Sequence, residues 1–121
     1  MQTASLFTYR GAGKIAIAKT VPYHLGDVKI FHELVPGQWF QSQPWFLEID
    51  IDTYRKEYFK QLLTLDPRIT WQKLHDFAQG HEPVLLCYEK PPFDDWNFCH
   101  RRMVAEWFEN ELGFIVSELS D

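Results

Sequence analysis

The sequence predicts a single α/β domain over residues 1–121, with a mixed or parallel central sheet flanked by helices. Three observations predict it. Residues 52–63 and 67–78 carry apolar side chains at spacings of three and four, the period of a helix with one buried face. The run "VLLCY" at 84–88 is apolar without alternation, as a strand buried on both faces reads. A third helical stripe, Met103, Val104, Trp107, Phe108 and Leu112, follows that strand, and helices packed on a sheet are the arrangement that satisfies all three.

The elements follow in order. "SLFTY" and "KIAIAKT" are short runs separated by Arg10-Gly11-Ala12-Gly13, and the second alternates around Ile15 and Ile17 as a strand does. "DVKIFHEL" is a third strand candidate, with Val28, Ile30 and His32 on one face. "PGQWFQSQP" between Pro36 and Pro44 reads as a loop. The first long helix begins with Asp52 or Thr53 as its N-cap, and Tyr54, Tyr58, Phe59, Leu62 and Leu63 form its stripe. Asp66-Pro67 caps the second, whose Trp71, Leu74, Phe77 and Ala78 share a face until Gly80. Pro91 and Pro92 force a loop, and the last helix runs from about Asn97 or Cys99 to Leu112, with Gly113 as its stop.

Composition narrows the function. A chain with 45% hydrophobic residues has the material for a dense core, so disorder is excluded. The formal charge of -5 opposes general duplex nucleic-acid binding, which rewards clustered cations that release counterions. No apolar stretch approaches the roughly 20 residues of a membrane span, and the N-terminus lacks a signal peptide's apolar core, so a cytoplasmic setting is expected. Cys87 and Cys99 are too few for a disulfide scaffold and read as thiols.

The chemistry gathers in "FCHRRMVAEWF" at 98–108, where Cys99, His100, Arg101 and Arg102 stand at the mouth of the last helix. A helix N-terminus stabilises an anion or a thiolate, and an arginine fork grips phosphate or carboxylate. Cys99 is the candidate nucleophile, and Glu89, at the end of the buried strand, the candidate carboxylate for acid-base work. Successive helical residues fan out by about 100 degrees, so at most two of the four can face one ligand. The cluster does not match cysteine-phosphatase or rhodanese-like loops, because Ala105 and Val104 occupy the positions of their arginines. Cys87 and Cys99, with His100 or His32, have zinc's soft ligand types, but no CxxC spacing supports the set, so no metal ligand is assigned and no cofactor is named. A structural alternative pairs Arg101 and Arg102 with Glu89, Asp94, Asp95 or Glu106.

"RGAGK" at 10–14 invites a phosphate nest through Arg10 and Lys14, though it is not a Walker loop and a plain hairpin or turn is the better account of it. Lys90 ends the buried strand beside Glu89, and Trp39 and Phe40 offer a pocket wall or a loop anchor. His24, His75 and His81 receive no role.

"EPVLLCYEKPPFDDWNFCHRRMVAEWF", with "YRGAGKIAIAK", "ELVPGQWF" and "YRKEYFKQLLTLDP", resembles the bacterial family catalogued as domain of unknown function number 488. The specific part is the pairing of "LLCYEK" with "CHRR". The resemblance implies a small cytoplasmic α/β domain and a shared site around Cys87, Glu89, Lys90, Cys99, His100 and Arg101, with a contribution from "YRGAGK". It implies no reaction.

The expectation is therefore a pocket for a small anionic ligand, a nucleotide or nucleic-acid phosphate, at the N-terminus of the last helix. It would be built by Cys87, Glu89, Lys90, Cys99, His100, Arg101 and Arg102, with Arg10, Lys14 and Trp39 around it. The alternative is a protein-interaction module in which Trp39, Phe40, Trp45, Phe46 and Trp96 form an exposed patch and the cysteine cluster is structural.

Overall fold

The computed structural model describes residues 1–43, 49–95 and 97–119. Its sheet contains β1 (Gln2–Ser5), β2 (Lys14–Ala16), β3 (Val84–Cys87) and β4 (Ser117–Glu118), in the order β2-β3-β1-β4. Every pairing is parallel: β3 lies between β1 and β2, and β4 joins the far side of β1. The helices are α1 (Gln38–Gln41), α2 (Ile51–Leu62), α3 (Pro67–Phe77) and α4 (His100–Leu112).

All four residues of β3 are buried, as an unalternating apolar run requires. Leu85 and Cys87 join the larger core with Ile15, Ile17 and the helices. Val84 and Leu86 face the other way, onto a smaller cluster with Ala4 and Leu6 that Val21, Leu25 and Val28 cover. One face of the sheet is thus sealed by helices and the other by a loop. α4 lies against β1 and β3 and carries α2 and α3 on its outer side. Its Met103, Val104, Trp107 and Phe108 are all buried, each contributing on the order of 1.5–3 kcal/mol through the surface removed from water.

Local signals set the helix ends. Asp66 accepts hydrogen bonds from the N–H groups of Arg68 and Ile69 ahead of Pro67, and Gly113 closes α4 at φ +72°. The cap of α2 is Asp50, whose side chain accepts from Thr53 N–H, rather than Asp52 or Thr53. The expected strand "DVKIFHEL" is also corrected. Ile30 makes an isolated parallel bridge to Ala16, and His32–Leu34 winds into a 3-10 turn, because Phe31 and Leu34 need burial on one side and a turn delivers both. Trp45, Phe46 and Trp96, three members of the expected aromatic patch, lie outside the described residues.

Candidate functional site

Parallel strands place their carboxyl ends along one edge of the sheet, and at a point where neighbouring connections diverge that edge holds a crevice. Here the crevice lies beyond β3. Past Cys87 the chain leaves the sheet and returns as α4 over the same edge. Asn97 ties the loop, its Nδ2 donating to the carbonyls of Lys90 (2.7 Å) and Pro92 (2.8 Å), while its backbone N–H donates to Asp94 Oδ1. Cys87, at the end of β3, and Cys99, the N-cap of α4, are thereby brought together with Cα atoms 7.0 Å apart.

The sequence reads these two cysteines as thiols; in the structure they form a disulfide. The reason is topological, since a loop tied at both ends returns residue 99 to residue 87. Both are buried, and both line a cavity of about 580 Å³ together with Glu89 and His100. Phe40, Tyr54 and Phe98 supply its aromatic wall and exposed Lys19 a positive group. Tyr54 is the hub of that wall, its ring 5.1 Å from Phe98, 5.4 Å from Phe40 and 5.1 Å from Trp39.

His100 is held in one orientation. Its Nε2 lies 2.6 Å from the carbonyl oxygen of Ile17, which can only accept, so Nε2 carries the proton and Nδ1 turns its lone pair toward Cys99 Sγ at 3.8 Å. Burial pushes its pKa down to about 4; the Ile17 carbonyl opposes this, and neighbouring Arg101 adds to it. The imidazole is neutral at pH 7. Among the described residues, Cys87, Cys99 and His100 have ligand atoms all within 4.8 Å of one another.

A consequence for stability follows from the depressed pKa. The unfolded chain binds this proton at about pH 6.5 and the folded chain only near pH 4. The stabilisation is therefore complete above about pH 6.5 and is lost as pH falls through that window, at roughly 1.4 kcal/mol per pH unit. Urea unfolding between pH 6.5 and pH 5 should show this slope in the wild type and lose it in His100→Gln. An equal slope in both would assign the proton elsewhere.

Arg101 does not enter the pocket. Its side chain is fully buried, with Nε and Nη2 donating to the two oxygens of Glu118 at 3.0 and 2.8 Å. Nη2 also donates to the Glu89 carbonyl at 2.7 Å and Nη1 to Cys87 Sγ at 3.1 Å, while the guanidinium lies 4.9 Å from the Phe93 ring centre. Arg102 is directed to Thr3 Oγ1 and the Val116 carbonyl, and burial lowers its pKa. The expected partners thus change: Arg101 takes Glu118, and Glu106 pairs instead with Arg55 on the surface. Glu89 lines the cavity, and its pKa is raised by desolvation, against the opposing pull of a backbone hydrogen bond and of Arg101.

The remaining candidates are dispersed. Lys90 is exposed, its Nζ 5.9 Å from the Phe7 ring centre. Arg10 is exposed and donates to the carbonyl of Phe7, closing its own turn. Lys14 opens β2 at the amino edge of the sheet, opposite Cys99. Trp39 stands behind the aromatic wall, with Nε1 donating to Gln61 Oε1 at 2.8 Å, and Phe40 faces the cavity in its place.

Sequence reasoning missed Glu118, Tyr54 as a pocket wall and the Ile17 carbonyl. Glu118 had one signal, a carboxylate inside the apolar run "FIVSEL", where burial calls for a cationic partner. The carbonyl had none.

The family model described as Domain of unknown function DUF488 matches residues 24–108, which include the aromatic wall of the cavity, both cysteines, His100 and Arg101. Neither the curated proteins nor the solved structures contain a match.

Proposed function

The chain belongs to the DUF488 family, and from that premise we propose that it is a small-molecule-binding domain whose chemistry is carried by Cys87 and Cys99 as a dithiol–disulfide pair. The observation that carries this reading is the position of both cysteines on one cavity of about 580 Å³, with a buried arginine donating to the sulfur of Cys87. Reduced Cys99, at the N-terminus of the 13-residue α4, gains the field that favours a thiolate. Reduced Cys87 gains the Arg101 N–H.

The reaction is thiol–disulfide exchange. Cys99 Sγ attacks one sulfur of a small disulfide, the ligand's S–S bond breaks, and its other half leaves as a thiol after taking a proton. Cys87 Sγ then attacks the mixed disulfide, releasing the second thiol and leaving the Cys87–Cys99 disulfide. Glu89, a carboxyl with a raised pKa on the same cavity, is the group to hand over a proton. The ligand has an apolar or aromatic body for Phe40, Tyr54 and Phe98 and an anionic end for Lys19 and the α4 N-terminus. This keeps the small-anion class the sequence suggests without using either arginine as a ligand. A cytoplasmic setting would keep the resting pair reduced.

The test is exchange with glutathione disulfide, a small anionic disulfide, by the reduced full chain in chelator-containing buffer. Two thiols should be released per chain, with formation of the internal disulfide. Cys87→Ser should stop at a trapped mixed disulfide, and Cys99→Ser should release nothing. Exchange no faster than that of free cysteine, or identical behaviour of the two variants, would overturn the reading.

A further inference from the structure

We propose that, when Cys87 and Cys99 are reduced, their two sulfurs and Nδ1 of His100 hold one zinc-class divalent cation whose fourth position opens onto the pocket. This rests on the same sulfurs as the proposed function and assigns them a second occupant.

Distances support a soft tetrahedral centre. Zinc–sulfur and zinc–nitrogen bonds of about 2.3 and 2.05 Å set tetrahedral edges of about 3.8 Å between two sulfurs and about 3.6 Å between sulfur and nitrogen. Cys99 Sγ and His100 Nδ1 stand 3.8 Å apart, and all three ligand atoms fall within 4.8 Å of one another. The sulfur–sulfur edge is the one the disulfide closes, and reduction allows it to open.

The surroundings fit as well. A metal-binding histidine ordinarily gives its other ring N–H to a carbonyl or carboxylate, which fixes the tautomer. His100 does this through Nε2 to Ile17. Arg101 Nη1 donates to Cys87 Sγ and so orients one sulfur. Two thiolates and one neutral imidazole balance a divalent cation. The three residues are buried yet all line the cavity, so a centre with two cysteines, one histidine and an open position results, as catalytic rather than structural zinc sites have.

The two occupancies exclude each other. When a small disulfide oxidises the loaded centre, the two thiolates give up two electrons, the disulfide takes them with two protons and leaves as two thiols, and the cation is released.

The test is a Co²⁺ titration of the reduced, chelator-stripped full chain under anaerobic conditions. Expected are uptake of about one equivalent, tetrahedral ligand-field bands with sulfur-to-cobalt charge transfer, and displacement by Zn²⁺. The oxidised chain should take up none, a comparison that requires no variant to fold. His100→Gln, checked for folding by circular dichroism, should keep charge transfer with altered ligand-field bands. Octahedral weak-field spectra, no uptake by the folded reduced chain, or equal uptake by the oxidised chain would overturn the proposal. Because exchange is read in chelator and uptake without any disulfide, failure of one leaves the other standing.

Discussion

Replacing Arg101 with alanine should destabilise the chain by about 3–5 kcal/mol, because it leaves a partly buried carboxylate without its counter-charge. Arg101 is wholly buried and the Glu118 side chain is only 16% exposed, so water cannot replace the lost guanidinium. Urea unfolding should show the loss as a lower midpoint with little change in slope. Glu118 lies in β4, a two-residue strand on the sheet edge, and Leu119 N–H donates to the Thr3 carbonyl beside it. Hydrogen exchange at Leu119 should therefore accelerate more than at Leu85. Arg101→Lys keeps the charge but cannot reach Glu118, Cys87 and Glu89 with one fork, so it should recover only part of the loss. Arg55→Ala supplies the contrast. Its bidentate pair with Glu106 is solvent-exposed, and removing it should cost under about 1 kcal/mol. Equal losses at the two positions would show that burial does not set the value of the Arg101 pair.

Gly13→Ala should cost about 3 kcal/mol or more. Gly13 has φ +77°, a conformation that costs a side-chain-bearing residue on the order of 1–3 kcal/mol. A Cβ there would also overlap the backbone carbonyl of Glu82, which cannot swing aside as a side chain tip can. Any shift acts directly on the sheet, since the Gly13 carbonyl accepts from Val84 N–H at 2.9 Å where β2 and β3 begin to pair. Gly80 is the control. Its φ is +90° with nothing near a new Cβ, so Gly80→Ala should show the conformational cost alone, about 1–2 kcal/mol. Thermal or urea unfolding of both variants separates the terms, and equal losses would show that the close approach costs nothing. The same geometry gives "RGAGK" a structural reason for its second glycine, at the sheet edge away from the pocket.

The parts of this molecule legible in its sequence are those that local chemistry or periodicity determines. Asp66-Pro67 and Gly113 mark helix ends because capping is settled within a few residues. "VLLC" announces a strand buried on both faces because no position in it suits water. The carboxyl edge beyond that strand follows from parallel topology, and the cavity with Cys87, Glu89, Cys99 and His100 lies there. Strand β4 was not legible, because two residues are too short to show a period. "DVKIFHEL" shows the opposite failure. Its alternation suits a strand, but neighbouring contacts bend it after one bridge.

The sequence by itself determined the buried strand and the ends of α3 and α4, since each depends on residues close together in the chain. Only the tertiary structure decided what each charged or soft group faces. It sent Arg101 down to Glu118, 17 residues away, and pointed His100 Nε2 at a carbonyl 83 residues away. It also set the two sulfurs side by side. Partners chosen across such separations depend on where whole elements come to rest, and a carbonyl that fixes a tautomer leaves no mark on the identity of the residue that owns it.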